Sequence, residues 1–561
     1  MISMKKIKVQ NYHILPGDRK DTVFGLRKLL ESLEEQEKIF LEFPKGEYHF
    51  YEDYAFEELL FIPNHEEDTI KKVAFLIKGK RKFQIEGNGS RFIFHTELLP
   101  FVIRDSAEVC IRDLEVDYER PGYSQGRIES VSSRQMKIRV DKEKFPYYVR
   151  GKRLYFTGEH YCHELVRWME LDGKEERPVY GLTDRTFNLP DAGEAAEWKE
   201  LEPGLLEVTL GEKEKPFEEA SKPGDWLILR HHPRNAPAFY VENSRELVLR
   251  DIRIYHSLAM GVLAQRAENM LLERVHVMRH PEKKHVFSAE ADALHFVSCR
   301  GKIHIKDCLL ENQLDDPVNI HGIYGRVKQV LENGSFLVEL VHPQQKGARI
   351  LEEGERFRFV DNETMLPAGE TRVLSVKRLN RDFLLVVPED EGQRPRENWA
   401  VENLEWSPEV LVEGCTMRNN RARGILVTSA GEVVIRENVF QVPGAAVLIE
   451  GDCNEWFESG AIRHVVIERN RIENCAYVPA WGKAPIQISP GAPSYMEGKA
   501  YHGTVEIRNN QFLCSDDRLL WARNVDTILW EGNRVEKNAV YPPISGEAFP
   551  KLHVLHFKSV L

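Results

Sequence analysis

The 561-residue sequence predicts an all-β chain: a right-handed parallel β-helix with an N-terminal cap helix and two inserted small antiparallel β-barrels. Three observations predict it. A strand pattern, apolar-x-apolar-x-polar-(Asn, Asp or small)-x-apolar, recurs with matched positions 23 residues apart. An amphipathic segment stands ahead of that pattern, and two mutually similar stretches interrupt it.

The opening segment, residues 1–119, holds the cap and first coils. Asp21-Thr22 can cap a helix whose apolar face is Val23, Leu26, Leu29, Leu30 and Leu33. A solenoid needs such a plug over its open end. Strand instances follow, from Val109-Cys-Ile-Arg-Asp-Leu-Glu-Val116 through Leu271-Leu-Glu-Arg-Val-His-Val277 to Val505-Glu-Ile-Arg-Asn-Asn-Gln-Phe512. Leu249 and Leu272, Val412 and Ile435, and Ile507 and Trp530 are each separated by 23. Leucine-rich repeats share that period, but their leucine-asparagine framework is absent; period-2 strands ending in Asn or Asp suit β-helix coils.

The interruptions are 120–232 and 323–407. Gly126-Arg-Ile-Glu-Ser-Val131 parallels Gly325-Arg-Val-Lys-Gln-Val330, and Gly224-Asp-Trp-Leu-Ile-Leu229 parallels Gly354-Glu-Arg-Phe-Arg-Phe359. Short alternating strands between turn residues read as two related barrels walling a groove. The segments 233–322 and 408–561 return to β-helix coils.

Composition narrows the function classes. Hydrophobic residues make up 42%, enough for a continuous core, and the formal charge of −12 is spread along the chain. That balance argues against a nucleic-acid partner and suits a neutral ligand. No apolar run approaches the roughly 18 residues that span a bilayer, so no membrane partner is expected. Lys5-Lys6 is followed by no apolar signal region, so a cytoplasmic location is expected, or secretion if a leader has been trimmed. The eight cysteines show neither a disulfide framework nor paired C-x-x-C spacing, and no group shows zinc-ligand spacing. Cys308 and Cys415 share a register and should stack in the core. A homodimer is left open.

The chemistry concentrates in Ala291-Asp-Ala-Leu-His-Phe296 and Leu314-Asp-Asp-Pro-Val-Asn-Ile-His-Gly322. Asp292 precedes Asp316 by 24 residues and Asp315 by 23, about one coil, so the three should sit on adjacent rungs about 4.8 Å apart. His295 and Asn319 then stack likewise. An Asp-Asp pair in a solenoid often only caps a turn or binds calcium. A third aspartate one coil away, with His295, Asn319 and His321 nearby, favours catalysis. Crowded carboxylates repel, so at least one should keep its proton. A neutral acid beside an ionised carboxylate is what glycoside hydrolysis requires.

Two families share this pattern. The single aspartate followed by a pair resembles the polygalacturonases of glycoside hydrolase family 28, but their basic Arg-Ile-Lys motif is missing; Arg471-Ile-Glu473 carries the wrong charge. The fuller resemblance is to the α-1,3-galactosidases of glycoside hydrolase family 110. It runs through the pectate-lyase-like cap, Asp292-Ala-Leu-His-Phe296, Cys299-Arg-Gly301, Leu314 to Tyr324, Asn420-Arg-Ala-Arg-Gly424, Trp456-Phe-Glu-Ser-Gly460 and the barrel insertions. It implies exo-acting removal of terminal α-1,3-linked galactose, blood-group-B-type or linear, with inversion and without cofactor or metal. Asp292, Asp315 and Asp316 then correspond to the catalytic carboxylates, with Asp292 taken as general acid and the pair handling water. His295, Asn319, His321, Arg421, Arg423, Trp456 and Glu458 form the expected substrate-binding set: arginines as charged donors, Trp456 as an apolar face, Glu458 as an acceptor. One tension remains, since rung spacing lies nearer the retaining carboxyl separation than the inverting one. The alternatives are a polygalacturonase-like or other β-helix glycosidase, a calcium-dependent lyase, and a non-catalytic glycan-binding β-helix.

Overall fold

In the computed structural model the apolar stretch ahead of the coils is the helix Val23–Glu31, which packs Val23, Leu26, Leu29 and Leu30 onto the first coils. Asp21 caps it: its Oδ1 accepts the Val23 N–H at 2.9 Å and the Tyr51 N–H at 3.0 Å, whereas Thr22 makes no side-chain cap bond. The structure describes residues 4–17, 19–33, 38–65, 70–186, 196–212, 214–217, 221–390, 392, 394–543 and 552–560. Among the described residues no helix is long and apolar enough to cross a membrane.

The coils form a right-handed parallel β-helix. Leu249 pairs in parallel with Leu272, Val412 with Ile435 and Ile507 with Trp530. Inward positions stack into one core from Ile7 to Ile528, including the ring column Phe75, Phe101 and Phe239 with centroids 4.4 and 4.5 Å apart. Each such buried side chain contributes roughly 1.5–3 kcal/mol of transfer free energy. Cys308 and Cys415 stack as neighbours, and all eight cysteines are free. At one corner the turn asparagines form a ladder: Asn438 Nδ2 donates to Asn470 Oδ1 at 3.1 Å, Asn470 to Asn510 at 3.0 Å, and Asn510 to Asn533 at 3.0 Å. Each asparagine also satisfies buried backbone groups of the preceding coil, its Oδ1 accepting an N–H and its Nδ2 donating to a carbonyl, which is why the strand pattern ends in Asn.

Coil length is not uniform. Val433 pairs with Val465 and Val465 with Val505, offsets of 32 and 40, so these coils carry extra residues beyond the basic turn. Part of that excess, in 450–458 and 479–493, rises beside the aspartates.

Both inserts leave the solenoid without disturbing it. Ile111 pairs with Leu249 across the first, and Ile303 with Val410 across the second. The first insert holds a seven-stranded antiparallel sheet and a three-stranded one, wrapped around a shared core with Trp168 at its centre. The second is a closed six-stranded barrel. Gly126 and Gly325 occupy matching first strands for one reason: a Cβ would lie 2.4 Å from Ile138 and 2.3 Å from Val338, respectively. Arg266 ties the second barrel to the coils through Glu355, Glu352 at 3.2 Å, and the face of Trp406 at 4.1 Å.

Candidate active site

Alternation along one ladder of short strands creates the site. Leu294, Val318, Ile425 and Val447 point inward, as do Phe296, Ile320 and Val427. The row between them, His295, Asn319, Leu426, Leu448 and Gln487, pairs rung to rung and faces outward. It floors a cavity of about 540 Å³. Asp292, Asp315 and Asp316 stand on the turns entering these strands, and one carboxylate oxygen from each lies within 4.8 Å of the others. The expected stacking of Asp292 under Asp316 is observed: Asp292 Oδ1 accepts the Asp316 N–H at 3.0 Å.

The three carboxyls occupy different electrostatic environments. Asp315 is gripped by Arg234 Nη2 at 2.5 Å and Arg421 Nη1 at 3.0 Å. Burial alone would favour its protonation, but Arg421, Arg234 and Arg423 hold it well below the usual carboxylate range. Asp316 accepts from the Arg423 N–H at 2.7 Å and Arg423 Nη2 at 3.0 Å. Even so, burial together with repulsion from Asp315 and Asp292 pushes it up to about 7. Asp292 is likewise pushed up to about 7, by burial and by the charge of Asp315.

The partners of Asp292 say where its hydrogen lies. His321 Nδ1 faces the Gly322 carbonyl at 2.7 Å, so that nitrogen must donate. His321 Nε2 then accepts from His295 Nε2 at 2.9 Å, and His295 Nδ1 is left as an acceptor 2.5 Å from Asp292 Oδ2. Burial lowers both imidazoles, His295 to about 3, so both are neutral near pH 7. With two neutral rings, the chain of bonds closes only if Asp292 supplies the hydrogen. Glu458 Oε1, 3.5 Å from His321 Nε2, is too distant to compete.

Of the expected residues, Asp292, His295, Asp315, Asp316, Asn319, Arg423, Trp456 and Glu458 line the cavity. Asn319 Oδ1 is buried without a hydrogen-bond partner, as an atom awaiting a sugar hydroxyl would be. Trp456 is 47% exposed at the mouth, its ring 4.7 Å from that of His342. Strand pairing of Glu458–Ser459 with Gly322–Ile323 brings Glu458 beside His321.

Two of the expected substrate-binding residues, His321 and Arg421, stand behind the cavity lining. His321 bonds His295 and the Gly322 carbonyl, and Arg421 bonds carboxylates through Nε and Nη1. His321 completes the histidine relay. Arg421 spans Asp315 and Asp184, whose Oδ2 accepts its Nε at 2.9 Å and also meets Arg230 Nη1 at 3.2 Å. Both therefore reach the aspartates, His321 through His295 and Arg421 directly at Asp315.

Sequence reading missed Arg234, Asp184, Glu450 and Trp481. Arg234 follows the first insert directly, and Asp184 lies inside it, so neither falls in the strand pattern. Asn64 and Gln344, from the N-terminal segment and the second barrel, close one wall, with the Asn64 N–H donating to the Gln344 carbonyl at 2.6 Å.

Comparison with known proteins converges on one group. Residues 124–227 match GLAA-B beta-barrel domain I, and residues 335–391 match GLAA-B beta-barrel domain II. Alpha-1,3-galactosidase B of Bacteroides thetaiotaomicron is 30% identical over 553 residues, covering 96% of this chain and 87% of that protein. Alpha-1,3-galactosidase A of Shewanella woodyi is 30% identical over 555 residues, covering 98% and 89%. Alpha-1,3-galactosidase B of Akkermansia muciniphila is 32% identical over 536 residues, covering 95% and 66%.

Proposed function

This chain belongs to the α-1,3-galactosidases of glycoside hydrolase family 110, and on that premise we propose that it removes terminal α-1,3-linked galactose from glycans by an inverting acid/base mechanism. The observation that carries the chemistry is the contrast among three adjacent carboxyls: Asp292 lies against His295 and is pushed up by burial and by the charge of Asp315, whereas Asp315 is gripped between two arginines that hold it down.

The terminal galactose lies over the outward row, its apolar face toward Leu426, Leu448 and Trp456, its hydroxyls met by Asn319 and Glu458. Asp292 turns its hydrogen from His295 Nδ1 to the leaving glycosidic oxygen as the bond to the anomeric carbon breaks. Water attacks that carbon from the opposite face, and its proton passes to the Asp315–Asp316 pair. Atoms balance: one water is consumed, and galactose and the acceptor alcohol leave. The arginines keep Asp315 ionised while Asp292 stays neutral, which is the pairing of acid and base the reaction needs.

The carboxylate spacing is short for an inverting enzyme, so the attacking water is placed beside the pair. Inversion rests on the family resemblance, and the pair is held by charged donors. Both oxygens of Asp315 accept from guanidinium groups, and both of Asp316 accept from Arg423. Those bonds orient the pair toward the attacking water. The lining also favours a neutral sugar over a uronate, because Glu450, Asp452, Glu455 and Glu458 crowd one wall and would repel a carboxylate.

The test is to incubate the protein with an α-1,3-galactosyl oligosaccharide and follow the first product anomer by NMR. β-Galactose released first is expected. Initial α-galactose would overturn inversion, and release of galacturonate from polygalacturonate with no action on galactosides would overturn the substrate assignment.

A further inference from the structure

Glu97, His163 and His232 converge away from the active-site cavity. Glu97 lies in the turn before strand Leu99–Arg104, His163 on the insert strand Tyr161–Glu164, and His232 just after strand Trp226–Arg230. One ligand-type atom from each falls within 4.8 Å of the other two. His232 Nε2 is 2.8 Å from Glu97 Oε1, and His163 Nε2 is 3.4 Å from the same oxygen.

The orientation is what distinguishes this group from an ordinary ion pair. His232 Nδ1 faces the Pro233 carbonyl at 2.6 Å and so donates there, which turns the Nε2 lone pair toward Glu97. The His232 side chain is only 1% exposed, yet neither its Nε2 nor Glu97 Oε1 has a hydrogen-bond partner of acceptable geometry. With the ring in that tautomer, a buried nitrogen lone pair points at a carboxylate oxygen 2.8 Å away. A cation there satisfies both, and a histidine fixed by a carbonyl on its other nitrogen is the usual arrangement around a bound metal. Donor atoms of tetrahedral zinc, about 2.0–2.2 Å from the ion, are roughly 3.3 Å from one another, close to the separations seen. Tyr161 holds both rings, stacked on His163 at 5.0 Å and edge-on to His232 at 5.7 Å.

We propose that Glu97, His163 and His232 bind one divalent transition-metal ion of the zinc class as a structural site. The ion ties three segments that share no continuous strand: an early coil, the first insert, and the return segment that delivers Arg234 to Asp315. It takes no part in the reaction, since none of its ligands lines the catalytic cavity. Glu97 is 35% exposed, which leaves water access to a fourth position.

The full-length protein, stripped by chelator and dialysed, is titrated with Zn²⁺ alone and with Co²⁺ as a spectroscopic probe. The expected result is about one zinc per chain, a visible cobalt spectrum of tetrahedral intensity, and a melting temperature that rises with zinc. His163→Ala and Glu97→Gln, checked for folding by circular dichroism, should each weaken zinc binding at least tenfold and abolish the thermal shift. Asp316→Asn should keep both. Equal zinc binding by the wild type and both ligand variants would overturn the proposal, as would binding lost in Asp316→Asn, which would move the ion to the aspartates. No zinc uptake by the wild type would equally overturn it.

Discussion

Arg421 donates through Nε to Asp184 at 2.9 Å and through Nη1 to Asp315 at 3.0 Å, so an acid from the first insert orients a carboxylate of the β-helix. Asp184 also meets Arg230 at 3.2 Å, and its side chain is 9% exposed. Removing its charge leaves two buried guanidinium groups with one counter-ion fewer, a change that costs about 3–5 kcal/mol where no relaxation follows. Asp184→Asn is therefore expected to lower the melting temperature and to reduce kcat about tenfold, with KM little changed, because no sugar contact is lost. A larger effect on KM than on kcat would show Asp184 touching substrate.

The three aspartates are close enough to suggest a metal site, but Arg234 and Arg421 already hold Asp315, and Arg423 holds Asp316. Turnover on an α-1,3-galactoside at 25 °C is expected to stay within about twofold after chelation and to gain nothing from calcium. Loss of activity restored by calcium would support a lyase-type centre. Any chelator effect is expected in thermal stability, through Glu97, His163 and His232.

How much of this was legible follows from sequence separation. Leu249 with Leu272, and Asp292 with Asp316, are one coil apart, and a parallel solenoid converts that spacing directly into contact. His321 and Arg421 were legible as polar groups near the site, but not their protein partners, because sequence shows that a polar group is close without showing what it bonds. Arg234 and Asp184 carry no periodic signal, since each owes its position to how the first insert folds back on the coils. Glu97, His163 and His232 are 66 and 69 residues apart, far outside any metal-ligand spacing, and only the junction of insert and coil unites them.

Stability should depend on pH in opposite senses at neighbouring aspartates. Asp292 and Asp316 hold their protons in the fold to about pH 7, against an ordinary value of 3.8. Between those values the folded state binds more protons than the unfolded chain, so their contribution is full at low pH and is lost as pH rises toward 7. Asp315 runs the other way: its folded value is depressed, so its contribution is present above the ordinary value and lost as pH falls through the folded one. Asp292→Asn should accordingly raise the melting temperature by about 2–4 °C at pH 8 and by less at pH 5. Asp315→Asn should lower it at pH 8, since an amide NH₂ would face guanidinium donors. Equal shifts at both pH values would mean that Asp292 is ionised in the fold.

The sharpest test lies in what asparagine can imitate at position 292. A protonated carboxyl there accepts the Asp316 N–H on Oδ1 and donates from Oδ2 to His295. An asparagine amide can make the same two bonds, oxygen accepting and NH₂ donating, so the histidine relay and both rungs should persist. What the amide lacks is a proton to give. Turnover of a natural α-1,3-linked disaccharide should therefore fall about 10²–10⁴-fold in Asp292→Asn, the range general acid–base catalysis supplies. An aryl α-galactoside with a good leaving group needs less protonation and should lose far less. Asp315→Asn removes the ionised acceptor for the proton of water and Asp316→Asn the carboxyl beside it, and both substrates should suffer alike. In the wild type, kcat/KM on the disaccharide should decline as pH rises through about 7, as Asp292 loses its proton, and Asp292→Asn should lose that limb. If Asp292→Asn treats the two substrates equally while Asp316→Asn separates them, the acid is Asp316 and the histidine relay only supports the rung. If all three variants keep near-normal turnover, the aspartates are turn caps and the catalytic site lies elsewhere.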